Sequence, residues 1–155
     1  MKKIYTLFLV ALISISVSYG QIQKVVASDR AYGNFFGEAV AIDGDYAVAG
    51  SRYADGQEGA AYIFEKNEQG EFIEMAKLKA EEPFAGAWMG YAVAIYGNTA
   101  VVGAPLEAYD EVGANYKTEA GAIYIFTRDG GGNWSEWQKI VPADRDYLAK
   151  FGYSV

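Results

Sequence analysis

The chain has 155 residues, of which 52% are hydrophobic and 15% aromatic, which is enough for one globular domain. Its net charge of −7 disfavours a nucleic-acid partner, because phosphate binding requires a basic surface. It contains neither His nor Cys. That composition excludes Ser–His–Asp catalysis, a thiolate nucleophile and the commonest zinc ligands within these residues.

The first 20 residues are predicted to be a secretory signal peptide. Two lysines precede an apolar run, residues 4–17, and small residues then favour cleavage before Gln21. A membrane anchor is the alternative, although the run is shorter than the about 20 residues that a spanning helix needs. No later stretch approaches that length. We therefore expect an exported chain, residues 21–155, without a membrane span.

The exported part consists of repeated sequence segments. Three similar segments open at Lys24, Lys77 and Lys139, and each reaches a glycine after the same interval. FGEAVAIDGDYAVAG then aligns with MGYAVAIYGNTAVVG without a gap, and the second copy is longer by nine residues at one loop. Spacings that stay fixed from copy to copy predict one structural unit per copy.

Each copy predicts four antiparallel strands. In the first copy these are residues 37–42, 46–50, 60–65 and 72–79, and in the second the later strands are 122–127 and 134–141. The pairs Gly44–Asp45 and Gly97–Asn98 suit tight hairpin turns. Trp134 and Trp137 lie three apart on one strand, so we expect them on opposite sides of it.

A four-stranded unit cannot bury both of its faces alone. The repeats therefore predict an all-β fold of β-propeller blades packed around an axis, with a β-solenoid or a sandwich as the alternative. The complete blades would be residues 37–80 and 90–142, and residues 151–155 would begin a third. Residues 22–27 match a fourth strand, and we expect them to close the ring with the last blade.

The motifs that mark each copy resemble FG-GAP repeats. They are Phe36–Gly37 with Gly50–Ser51, and Met89–Gly90 with Gly103–Ala104–Pro105. Such repeats form the propeller of integrin α subunits and occur in secreted bacterial proteins, and GAAYIF, GAIYIF and NWSEWQKI are similar to the bacterial type. The resemblance implies a seven-bladed ring, of which these copies are a fragment. Further blades would come from the rest of the chain or, alternatively, from other subunits.

The resemblance places the loop between the second and third strands on the ligand-facing side. In the second copy this loop, residues 104–120, is the longer one, and we interpret it as the site for a protein or glycan ligand. The candidate binding residues are Glu107, Tyr109, Asp110, Glu111, Tyr116 and Glu119. The connector aromatics Phe35, Phe84, Trp88 and Tyr147 are interpreted instead as wedges between blades.

Metal binding is not expected at the hairpins. An integrin-type calcium loop needs several spaced oxygen ligands, and the turns at 43–45 and 96–98 are too short, so Asp43 and Asp45 are interpreted as hairpin residues. Calcium held by Asp110, Glu111 and Glu119 is a separate hypothesis. No residue is predicted to be catalytic.

The resulting functional hypothesis is a secreted or cell-surface module for binding or adhesion that is not an enzyme. One alternative is a propeller accessory to an enzyme domain encoded downstream, and another is a structural surface repeat.

Overall fold

The structure is a computed structural model that describes residues 22–155. The predicted signal peptide, residues 1–20, lies outside the described residues. Within the described part, no helix has the length and hydrophobicity needed to cross a membrane.

In residues 22–155, eight strands form two separate four-stranded antiparallel sheets, each in consecutive order. The first blade contains β1 Val40–Asp43, β2 Tyr46–Ser51, β3 Ala60–Lys66 and β4 Phe72–Leu78. The second contains β5 Ala92–Tyr96, β6 Thr99–Ala104, β7 Ala122–Arg128 and β8 Trp134–Ile140. The all-β prediction is confirmed. One helical turn, Ala54–Gln57, is irregular, because Asp55 and Gly56 have φ values of 51° and 73°.

The hairpin turns occur where the sequence places them, but the first strand begins late. Gly37 was expected to open that strand, whereas its φ of 82° lies outside the extended region, and β1 begins at Val40. Asp43 and Asp45 act as hairpin residues. The Asp43 carboxylate accepts a hydrogen bond of 2.7 Å from the Gly97 N–H and so joins the two hairpins, and Asp45 pairs with Lys66 at 3.5 Å.

Each outer strand carries a bulge at the same place. The β3–β4 register shifts between Ile63 and Phe64, and the β7–β8 register shifts between Ile125 and Phe126. Trp137 is the unpaired residue in the second blade and is 67% exposed. Trp134 packs edge-on against Tyr46 of the first blade, with ring centroids 6.5 Å apart. Trp134 thus packs between the blades, whereas Trp137 does not.

The blades pack face to face through unlike surfaces. One face of each blade is aromatic, because Tyr62 and Phe64, like Tyr124 and Phe126, alternate onto the same side of their strands. The other face of the first blade is small and aliphatic, and it receives the aromatic face of the second blade to form the main core: Ala41, Val48, Ala61, Ile63, Ala76 and Leu78.

The aromatic face of the first blade stays partly open. Val40 is 70% exposed, whereas Val93, its counterpart in the second blade, is 9% exposed. A groove of about 290 Å³ runs over this open face, and Val25, Phe36 and Phe72 line it.

Residues 22–27 lie along this open face but do not form the predicted strand. The Gln23 side chain donates to the Phe72 carbonyl at 2.9 Å and accepts from its N–H at 2.7 Å. Ser28 N–H donates to the Glu74 carboxylate at 2.7 Å, as Glu81 N–H does to Glu136 at 2.9 Å between the two blades. The N-terminal segment thus contacts the first blade in the same way that the residues just after β4 contact the second blade. Its strand is absent because no partner strand of its own sheet lies in the described range, and ring closure stays a prediction.

Backbone contacts join successive copies. Gly59 bridges Met89 in parallel, and Gly121 bridges Phe151 in the same way. Phe151, at the start of the third copy, therefore contacts the second blade in the same way that Met89 contacts the first.

Candidate functional site

The long loop between β6 and β7 is fixed from inside by Glu107. This side chain is fully buried, accepts a 2.8 Å hydrogen bond from the Tyr124 hydroxyl and lies 3.4 Å from the Lys139 ammonium. Its other oxygen also accepts the N–H groups of Ala108 and Tyr109, at 3.0 and 2.9 Å. The expectation that Glu107 faces a ligand is corrected, because all of these partners lie inside the fold.

The Tyr–Lys pair that holds Glu107 has a counterpart in the first blade. Tyr124 stands directly opposite Lys139, and Tyr62 stands opposite Lys77. There the Tyr62 hydroxyl donates to Asp29 at 2.7 Å, and Lys77 pairs with Asp29 as well as with Asp55. Burial raises the pKa of Tyr124 and of Tyr62 above the ordinary value, and the neighbouring carboxylate adds to the rise in each.

Sequence reasoning missed this arrangement, although a signal was present. Lys77 and Lys139 mark the start of their segments, and the tyrosines of GAAYIF and GAIYIF precede them at equal spacing. The acidic partner does not keep its position, since Asp29 comes from a connector and Glu107 from the long loop.

Asp110 shapes the tip of the loop. Its carboxylate accepts the N–H groups of Val112 and Ala114, at 3.1 and 2.8 Å, and the side-chain amide of Asn115. Hydrogen bonding, with Asn115 as the largest contributor, holds the pKa of Asp110 below its ordinary value. Asp110 is 8% exposed, and its role is to shape the loop. The expectation that Asp110 faces a ligand is therefore corrected.

Arg145, which the sequence did not reveal, ties the loop to the connector after β8. Its guanidinium donates to the carbonyls of Asn115 and Ala108, at 3.0 and 2.7 Å. Lys117 reaches back to the Arg145 carbonyl at 2.6 Å. Because Ala108 near its start and Asn115 and Lys117 near its end are held in this way, the loop has a defined shape.

The remaining predicted residues lie nearer the surface. Glu111 and Tyr116 are exposed, and Tyr116 is 56% accessible. Tyr109 is half-buried, edge-on to both Phe84 and Tyr116 with centroids 5.3 Å apart in each pair. Glu119 forms a salt bridge of 3.2 Å with Lys150. The structure thus brings Tyr109 and Tyr116 together. Glu111 instead lines a cavity with Glu82 and Lys139.

The calcium hypothesis is not supported by this geometry. Both Asp110 oxygens already accept N–H donors, and Glu119 faces a lysine. Across residues 22–155 there is no cluster of three or more carboxylates arranged to hold a metal ion.

The connector aromatics divide into two groups. Phe84 packs against the core between the blades, as interpreted. Phe35 and Tyr147 are 52% and 64% exposed, and they lie in the connectors before the first blade and after the second, so their interpretation as wedges stays a prediction. Phe35 instead joins Tyr53, Trp88 and Tyr91 around the Arg52 guanidinium, with distances to the ring centroids of 5.1, 4.9, 4.9 and 5.4 Å in that order. This cluster was not predicted.

The fold and the repeated main-chain contacts between copies define the class of protein: a set of four-stranded β-propeller blades with its long loop on one side. Comparison with protein families gives a match to the FG-GAP repeat over residues 19–64 and 72–126. The chain therefore belongs to the FG-GAP repeat family. No curated protein matches the chain.

Proposed function

We propose that the chain is a secreted or cell-surface binding module of bacterial type that acts in adhesion through a protein or glycan ligand. The observation that carries this proposal is that buried side chains hold the backbone of the β6–β7 loop in place. Three buried side chains, Glu107, Asp110 and Arg145, hold its backbone, while Glu111 and Tyr116 face solvent. A loop fixed before binding loses less conformational entropy on binding, which favours affinity.

The proposed role is non-catalytic. The buried titratable groups of the loop, Glu107 and Asp110, are engaged in bonds that hold the backbone or pair a lysine. Aromatic side chains such as Tyr109 and Tyr116 give a large contact area with a polar tip, which suits recognition of proteins and glycans.

Export is proposed from the N-terminal sequence and from the occurrence of FG-GAP repeats in extracellular proteins. Expression of the chain in a bacterial host, followed by N-terminal sequencing of the exported protein, tests this step. A mature chain that starts at Gln21 supports it, and a protein retained with Met1 contradicts it.

Binding is tested with the full chain on a glycan array and on immobilised cell-surface proteins. We expect the variants E111Q and Y116A to weaken any signal by about tenfold, as the loss of an interface anchor does. Y96A is the matched control, because Tyr96 is 84% exposed but lies at the hairpin end of the second blade, away from the loop. Equal binding by all three variants would remove the loop from the site.

A further inference from the structure

We propose that the cluster around Arg52 docks a carboxylate side chain, Asp or Glu, of a protein partner. The inference rests on the proposed role as a binding module and adds to it a second set of residues and the chemistry of the partner. The cluster lies on the same side of the blades as the β6–β7 loop, since Arg52 directly follows β2 and Trp88 belongs to the connector between the blades.

The rings form a continuous surface about the guanidinium. Phe35 meets Tyr53 edge-on at 5.0 Å, and Tyr53 meets Trp88 edge-on at 5.5 Å. Trp88 stacks on Tyr91 with an angle of 11° between the rings, and Tyr91 continues to Tyr153 at 4.7 Å. Phe35 and Tyr153 are 52% and 58% exposed, so the surface is accessible at both ends.

The backbone presents side chains at this place in every copy. Phe35, Trp88 and Lys150 occupy equivalent positions, each two residues before the FG or MG glycine, and all three have positive φ values, 56°, 58° and 52°. This conformation is unfavourable for residues other than glycine, and it persists only where the surrounding structure imposes it. The repeat therefore holds these side chains in a fixed direction, where Phe35 and Trp88 flank Arg52.

Arg52 is not fully satisfied by the fold. Its Nη1 lies 3.0 Å from the Glu38 carboxylate, and its Nε is buried without a hydrogen-bond acceptor in the described residues. The Glu38 side chain is 32% exposed and the Arg52 side chain 17% exposed, so solvent reaches this ion pair. A carboxylate from outside can take the place of Glu38, and arginine binds carboxylates with two parallel hydrogen bonds.

The chemistry of the cluster favours a protein partner. Arg, Trp and Tyr are the residue types that dominate the energetic centres of protein interfaces. A polyanionic glycan would meet the net charge of −7 along its whole length. A single Asp or Glu on a protein loop meets that repulsion only locally, because charges are screened beyond about 8 Å at physiological ionic strength.

The experiment is a titration of the ¹⁵N-labelled full chain, followed by NMR at the Arg52 Nε–H and the Trp88 indole N–H. The probe is the capped tripeptide Gly-Asp-Gly, and the matched control is Gly-Asn-Gly. We expect the Asp peptide to shift both signals and the Asn peptide to bind about tenfold more weakly, because its amide cannot form a charged pair.

Two variants distinguish docking from a merely structural cluster. E38Q removes the internal competitor and is expected to strengthen binding of the Asp peptide several-fold, whereas R52K is expected to weaken it, because lysine cannot reproduce the planar stacked contact. R30Q is the control, since Arg30 is exposed in the connector before the first blade. Melting curves verify that each variant is folded.

The proposal is overturned if both peptides shift the signals equally, or if E38Q leaves the affinity unchanged. Binding of glucuronate at these signals without binding of the Asp peptide would assign the cluster to a sugar and also overturn it. The titration does not depend on Glu111 or Tyr116. Failure of the loop variants in the array experiment and failure here are therefore separate results.

Discussion

Gly50 in β2 lies directly against Gly90, which follows Met89 at the start of the second copy. A Cβ atom added to Gly50 would lie 1.9 Å from the Gly90 carbonyl oxygen. The same relation joins Gly103 to Gly152, where the distance would be 2.0 Å. The glycines that mark the repeat are thus required by the close approach of one blade's backbone to the next.

Replacement of Gly50 by alanine is expected to lower the free energy of unfolding by about 3 kcal/mol or more, because the added methyl group overlaps main-chain atoms that cannot move aside. Urea denaturation measures the change. G70A is the control: Gly70 has a φ of 82° but open space around it, so only the cost of its backbone conformation, about 1 kcal/mol, is expected. A G50A variant as stable as G70A would contradict the close contact.

The two equivalent valines test the packing between blades. V93A is expected to cost about 2 kcal/mol, because Val93 is buried against the first blade. V40A is expected to cost less than about 0.5 kcal/mol, since Val40 is 70% exposed. Denaturation of both variants at one protein concentration gives the comparison. Equal costs would show that the open face of the first blade is covered in solution.

The buried carboxylate of Glu107 is expected to contribute strongly to stability. E107Q leaves Lys139 without its counter-ion at a site where the lysine side chain is 11% exposed, and the loss of one partner of a buried pair costs about 3 kcal/mol. The exposed neighbour supplies the control, since E111Q is expected to change the free energy of unfolding by less than about 0.5 kcal/mol. If E107Q has the same melting temperature as the parent chain, the ion pair has no net stabilising effect.

Glu136 is expected to make the protein less stable as pH rises. Burial raises the pKa of its carboxyl above the ordinary value. The Glu81 N–H hydrogen bond and the Lys139 charge lower the pKa in part, and the negative charges of Glu81 and Glu82 raise it. The folded state therefore holds this proton more tightly than the unfolded state. Stability from this group is present below the ordinary value of about 4.3 and is lost as pH rises through the raised pKa.

E136Q removes that loss. It is expected to stabilise the chain at pH 7 by about 0.5 kcal/mol, a small effect because the site is half-exposed and screened. The difference from the parent chain should vanish below about pH 4, where the parent carboxyl is protonated. Melting curves from pH 3 to 8 test this, and a variant that is less stable than its parent at pH 7 contradicts it.

The sequence predicted the number of strands, their order and the two hairpin turns, because alternation, turn residues and repeat spacing are local signals. It did not predict that Glu107 turns inward. A carboxylate in a long loop is expected to face solvent, and only the tertiary fold brings Tyr124 and Lys139 beneath Glu107. Arg52 was missed for the same reason, since its four aromatic neighbours come from two connectors and two blades.

At the marker glycines, the joint between successive copies is made of main-chain atoms. A glycine lies against a glycine, and a parallel bridge from Gly59 to Met89 is repeated from Gly121 to Phe151. This part of the joint places few demands on which side chains a neighbouring copy carries, in contrast to the packed core between the blades. A gene of this kind can gain, lose or exchange copies by recombination without compensating substitutions at these main-chain contacts. Loops such as residues 104–120 are then free to diverge copy by copy, so that recognition can change while the framework stays constant.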